Sequence, residues 1–143
     1  MKVTRLTDTA FLPTKAYSGD AGFDLYVDLL NENNFIDIEA GKRALLSTGC
    51  AFAIPEGYYG RIADRSSVAW KSGCHVLAGV VDSAYRGEVK VVLMNLSEKT
   101  FKVEHGMRIS QLVITKIYTG DLTEVKDLNE TERGEGGFGS SGK

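Results

Sequence analysis

Asp82 stands in LAGVVDSAYRGEVKVV, between an apolar run and the polar turn SAYRG. A carboxylate at the mouth of a partly buried pocket can orient a water and take its proton. An aspartate beside serine also serves simply to close a turn. Earlier, ADRSSVAWK puts Arg65 and Ser66 at the start of a short helical run. A cation, a hydroxyl and free backbone N–H groups then converge on one spot, as anion binding requires; a plain N-cap beside a surface arginine reads the same way. The chain ends in RGEGGFGSSGK. Arg133 offers a planar fork suited to phosphate, the glycines let backbone N–H groups approach an anion closely, and Ser140 and Ser141 add hydroxyls. Phe138 can stack on a base, worth roughly 1 to 3 kcal/mol. Phosphate and base together mean a nucleotide, although the same composition also suits a loose terminus. Asp24 in AGFDLY and Gln111 in GMRISQLVI are polar residues inside apolar strand patterns, each either a satisfied structural group or part of a site.

These residues need a scaffold, and the composition is that of one globular domain. The 143 residues are 43% hydrophobic and 25% charged, with a formal net charge of -2. No global basic field recruits nucleic acid or a membrane, so any anionic ligand must be met by a few placed cations. No apolar run approaches the roughly 20 residues of a membrane helix, and the start MKVTRLTDTAF lacks a signal-peptide core, which predicts a cytoplasmic protein, or one of the host cytoplasm if the source is a virus. Cys50, Cys74, His75 and His105 lack the spacing of a zinc site. Walker-type GxxxxGK[ST] spacing is absent from the glycine-rich tail.

Short runs rich in Val, Ile, Phe and Tyr recur between Gly, Asn, Asp and Pro: FDLYVD, KRALLSTGCAFAI, YYGRIA, EVKVVLMN, FKVEHG and ISQLVITKIY. They predict an all-β domain, a barrel or jelly roll. Only SSVAWKSG, Ser66 to Gly73, reads as helix, with Ser as candidate N-cap and Gly as its stop. Asp82 should sit at a hairpin end, with Gly87 permitting the turn. After Tyr118 the pattern fades. Residues 1–120 are therefore expected to form the core and 121–143 an arm that needs a partner to pack on.

The order AGFDLY, GRIADRSSVAWKSG, GVVDSAYRGEV, GMRISQL, RGEGGFGSSG resembles the five ordered motifs of the trimeric dUTP pyrophosphatase (dUTPase) family, across about residues 19 to 142. The resemblance implies a distorted jelly roll with one short helix, assembled as a homotrimer with a swapped C-terminal arm and three active sites at subunit interfaces. It implies hydrolysis of dUTP to dUMP and pyrophosphate, which limits uracil in DNA and supplies dUMP for thymidylate synthesis. Asp82 matches the aspartate that orients the attacking water, and Tyr85 the tyrosine that packs under deoxyribose and leaves no room for a 2'-hydroxyl. Backbone groups of Gly79, Val80, Val81 and Lys90 would pair with uracil. Arg65, Ser66 and Ser67 match the phosphate-binding segment, and Gln111 and Asp24 lie near a hydrated Mg2+ that needs no direct protein ligand, Asp24 reaching it through water. Arg133, Gly139, Ser140 and Ser141 match the arm that folds over the triphosphate, with Phe138 on the uracil face.

Two positions depart from the family pattern. Asp64 stands where the family usually reads proline, and is expected to pair with Arg65 and compete for it. Ala84 replaces a common acidic residue at a position expected to face outward. The sister dCTP deaminases share the fold but carry a catalytic glutamate on the strand after the hairpin, where VKVVLMN, Val89 to Asn95, has none. A trimer that binds dUTP as a signal and regulates a partner protein is a second alternative, which the sequence leaves open as an added role and does not itself support. Neither stable nucleic-acid binding nor membrane association is expected.

Overall fold

The computed structural model describes residues 1–137. Eleven strands and one helix follow in order: β1 (Lys2–Arg5), β2 (Gly22–Tyr26), β3 (Phe35–Ile38), β4 (Arg43–Ser47), β5 (Cys50–Ala53), β6 (Tyr58–Asp64), α1 (Ser66–Ser72), β7 (Cys74–Leu77), β8 (Val80–Val81), β9 (Lys90–Asn95), β10 (Phe101–Glu104) and β11 (Arg108–Lys116). They form four small sheets of order β1-β5, β10-β3, β2-β11-β6-β8 and β4-β9-β7, every pair antiparallel. The all-β expectation holds, with the jelly-roll fold and no closed barrel.

Period-two patterning explains which faces are buried. Along β9, Val91, Leu93 and Asn95 point inward while Lys90, Val92 and Met94 point out. Leu25, Leu46, Val103, Ile109 and Leu112 join them in one core, each large apolar side chain contributing roughly 1.5–3 kcal/mol on burial. Asn95 is tolerated inside because its amide donates to the carbonyls of Ile38 and Lys99, both at 2.8 Å. The run KRALLSTGCAFAI splits into β4 and β5 because Gly49 turns the chain at φ 62°.

The helix lies where the sequence places it, and Gly73 stops it in the left-handed conformation, φ 65°. Its N-cap is Arg65 rather than Ser66, with no side-chain cap. The β6–β11 ladder runs on to Asp64 opposite Ser110, so the last extended residue before the helix is Arg65, and Ser66 and Ser67 fall into the first turn. No strand forms after Lys116 among the described residues, and every residue from Ile117 to Glu135 is exposed. No helix among the described residues is long and apolar enough to cross a membrane.

Candidate active site

The β7–β9 hairpin is zipped only as far as Leu77 opposite Val92. Ala78 then takes a left-handed φ of 53°, and the chain leaves β9 to pair with β6, Val80 opposite Arg61 and Val81 opposite Gly60. Gly79 is required at the crossing: its carbonyl accepts the Ile62 N–H at 2.8 Å, and a Cβ there would lie 2.7 Å from the Ile62 carbonyl oxygen. The two limbs part and leave a cleft of about 670 Å³. Val80, Val81 and Asp82 line one side, and Tyr85, Glu88 and Lys90 the other. Four of the expected base- and sugar-site positions, Val80, Val81, Tyr85 and Lys90, thus meet with Asp82 in one place, whereas Gly79 turns the chain at the crossing without lining this cleft.

Asp82 is exposed, and its carboxylate has no hydrogen-bond or ion-pair partner among the described residues, while its carbonyl accepts the Tyr85 N–H at 3.1 Å to close the turn. The Tyr85 hydroxyl donates to the Glu88 carbonyl at 2.9 Å. A Cβ on Gly87 would lie 2.4 Å from that hydroxyl, so the ring can fold over position 87 only because it is glycine. Glu88 is a residue the sequence reading missed. One of its carboxylate oxygens accepts the Gly49 N–H at 2.9 Å and the other meets Lys90 Nζ at 3.3 Å, pinning this limb to the β4–β5 turn. Ala84 is exposed, as expected.

A second cleft, of about 270 Å³, gathers Asp24, Arg65, Ser66, Ser67 and Gln111. Strand register does this: Asp24 of β2 sits opposite Gln111 of β11, which sits opposite Ala63 of β6. Gln111 Nε2 donates to the Asp64 carbonyl at 2.7 Å, leaving Oε1 as an acceptor over Gly22, where a Cβ would come within 2.2 Å of it. Arg65 Nε donates to Asp24 Oδ1 at 2.8 Å and its Nη1 to the Arg108 carbonyl at 3.1 Å. Arg108 Nη1 in turn donates to Asp24 Oδ2 at 3.1 Å. Arg108 was also missed, because a charged residue after the Gly106 turn reads as an ordinary solvated strand end.

Asp64 does not compete for Arg65. Its carboxylate accepts the Val76 N–H and meets His75 Nδ1, both at 2.7 Å. Side chains of successive extended residues point to opposite faces, so Asp64 turns toward β7 while Arg65 turns toward β2.

The two clefts have no lining residue in common. The cleft that holds Asp82 and the cleft that holds Arg65 are therefore distinct on one chain. Arg133 lines neither; it is exposed, with Nε donating to the Gly136 carbonyl at 2.8 Å. Phe138, Gly139, Ser140 and Ser141 lie outside the described residues. Burial raises the thiols of Cys50, with Asp28 adding to the effect, and of Cys74, with Asp64 adding to it. Both shifts hold the sulfur away from the thiolate form that a nucleophile needs.

Comparison with known proteins places the chain as a whole. The dUTPase family model matches residues 8–142. A deoxyuridine 5'-triphosphate nucleotidohydrolase of Arabidopsis thaliana is 47% identical over 143 residues, covering 99% of this chain and 82% of that protein. Among solved structures, the dUTPase of Staphylococcus bacteriophage 80alpha with dUpNHpp superposes with a TM-score of 0.90 at 29% identity, covering 99% of this chain and 98% of that one. A mutant dUTPase from phage phi11 of S. aureus, in which a structural Mg(II) ion is coordinated, shares the fold with a TM-score of 0.80 at 24% identity, over 90% of this chain and 98% of that one.

Proposed function

This chain belongs to the dUTPase family, and from that premise we propose how its two clefts share the reaction. The chain is a dUTP diphosphatase, hydrolysing dUTP to dUMP and pyrophosphate. The observation that carries the mechanistic reading is the carboxylate of Asp82, without a partner among the described residues, at the rim of the opened hairpin. Asp82 takes a proton from a water that attacks the α-phosphorus, and the electron pair of the broken phosphorus–oxygen bond leaves with pyrophosphate. Uracil enters between the limbs and is read by the backbone of Gly79, Val80, Val81 and Lys90. Tyr85, folded over Gly87, packs under the deoxyribose and leaves no room for a 2'-hydroxyl.

A triphosphate brings roughly four negative charges at neutral pH, which repel an anionic base unless cations offset them. Arg65, Ser66, Ser67 and Gln111 form the phosphate cleft, with Asp24 and Arg108 holding the Arg65 guanidinium in place. The donor set fits magnesium, because the free acceptors of this cleft, Gln111 Oε1 and the remaining lone pairs of Asp24, are hard oxygens. No group of three or more His, Cys, Asp or Glu side chains suited to a metal occurs among the described residues, so Mg2+ would arrive on the phosphates, touched through water by Asp24 and Gln111, and supply charge neutralisation there.

Because the halves lie apart on one chain, the complete site forms where a second copy brings its Arg65 cleft to this chain's Asp82. A homotrimer closes such a head-to-tail arrangement. Residues 121–143 are the arm, laid over a neighbouring site so that Arg133, Gly139, Ser140 and Ser141 meet the phosphates and Phe138 the base. The exposure of Ile117 to Glu135 supports an arm without a place in its own core. Asp82→Asn tests the reading: it should keep affinity for dUpNHpp and lower turnover at least about a hundredfold. Near wild-type turnover would remove Asp82 from the role of base.

A further inference from the structure

We propose that Asp64 is a positioning residue for triphosphate binding, acting by fastening the end of β6 to β7. It rests on the phosphate-binding role given above to Arg65 and Gln111. β6 belongs to the four-stranded sheet and β7 to the three-stranded one, so no ladder fixes the distance between them at this point. The Asp64 side chain spans the gap. One carboxylate oxygen accepts the backbone N–H of Val76 at 2.7 Å and the other meets His75 Nδ1 at 2.7 Å. The main-chain carbonyl of the same residue receives Gln111 Nε2 at 2.7 Å, and the next residue is Arg65. Asp64 is thus joined to both phosphate-binding side chains, to one by a hydrogen bond and to the other by a peptide bond, and its carboxylate ties that junction to a strand that does not itself enter the cleft.

The bond to Val76 carries more of this than the bond to His75. His75 has 55% of its side chain exposed and Asp64 27%, and solvent-exposed ion pairs contribute little. A carboxylate accepting a backbone N–H is charge-assisted and shorter than an ordinary hydrogen bond. The Arg65 guanidinium is held at its far end by Asp24 and the Arg108 carbonyl; Asp64 fixes its near end, the Cα from which the side chain reaches. An aspartate in place of proline therefore substitutes a side-chain strut for a rigid ring.

The test compares Asp64→Ala, Asp64→Asn and His75→Gln in the full chain, by KM and kcat for dUTP and by thermal melting. The alanine variant should raise KM about tenfold, the size expected when a hydrogen bond that positions a charged group is lost, with kcat within about threefold of wild type. Asparagine keeps an oxygen acceptor for the Val76 N–H and should restore KM to within about threefold, and His75→Gln should stay within about twofold. Asp64→Ser, whose oxygen falls short of Val76, replaces the alanine variant if that one does not fold. Wild-type KM in the alanine or serine variant, or an asparagine variant as impaired as alanine, would overturn the proposal. A wild-type protein releasing no pyrophosphate from dUTP would instead overturn the reading on which it rests.

Discussion

Gly22→Ala separates the geometry of the phosphate cleft from the stability of the fold. A Cβ at position 22 would lie 2.2 Å from Gln111 Oε1 and 3.0 Å from Gln111 Cβ and Cδ. Gly22 has a strand conformation with no positive φ, so the Gln111 amide takes most of the displacement, and the β2–β11 backbone gives by a few tenths of an ångström around Gln111 Cβ. When the amide swings away it gives up the 2.7 Å bond from Nε2 to the Asp64 carbonyl. A part-buried hydrogen bond of this kind contributes about 1 kcal/mol net, which lowers Tm by about 2–4 °C in a domain of this size. The cleft should suffer more than the fold. Gln111 no longer presents Oε1 to the water around the magnesium that the phosphates carry, and a lost water-mediated contact of about 1.4 kcal/mol raises KM for dUTP about tenfold. Scanning fluorimetry and steady-state pyrophosphate release measure the two effects on one preparation. An unchanged KM alongside a lowered Tm would show that Gln111 is only a structural strut of the sheet and has no part in substrate binding.

Three further outcomes follow from the same architecture. Sedimentation should give a mass of three chains, and mixing Asp82→Asn subunits with Arg65→Ala subunits should recover activity that neither has alone, since intact halves from different copies then meet; a monomer mass, or no recovery, contradicts the shared site. Removal of the residues after Glu132 should leave a folded protein that binds deoxyuridine nucleotides yet turns over dUTP at least about tenfold more slowly, because the Arg133 charge and the cover over the site are lost; a Trp70→Phe, Phe138→Trp protein should then report dUpNHpp binding by a fluorescence change absent from the truncated chain. Burial raises both thiols, so their thiolate fraction at pH 8 falls below that of a free cysteine and iodoacetamide should label the native protein far more slowly than the denatured one; equal rates would place a thiol at the surface.

Much of the scaffold is legible in the sequence, for identifiable reasons. The strands β4, β5, β6, β9, β10 and β11 lie within apolar runs dense in β-branched and aromatic residues, so their period survives in the chain. β1 has no such signal, because all four of its residues are exposed and only pairing with β5 makes it a strand. β8 is two residues long, and what sends it to β6 instead of back along the hairpin is the close approach of Gly79 to Ile62, a contact across 17 residues that no local pattern encodes. The Ser66 expectation fails for a related reason. Cap chemistry favours serine, yet the extent of the β6–β11 ladder puts Arg65 at the cap.

The site shows the same division. The residue types of Asp82, Tyr85, Arg65 and Gln111 announce their chemistry in the sequence, and each lines a cleft. Their partners do not announce themselves. The turn of Asp64 toward β7 follows from strand alternation and from where β7 lies, and the grip of Arg108 on Asp24 follows from register across β2 and β11. That the two clefts are separate on one chain is a property of the fold as a whole, which no single motif announces.

The most direct test is pyrophosphate release by the purified protein with Mg2+, measured for dUTP beside dTTP, dCTP and UTP at equal concentration. A cleft that reads uracil through its backbone and excludes a 2'-hydroxyl with Tyr85 should favour dUTP over each of the others by at least about a hundredfold in kcat/KM. Comparable release from UTP or dTTP, or ammonia released from dCTP with no pyrophosphate from dUTP, would contradict the account.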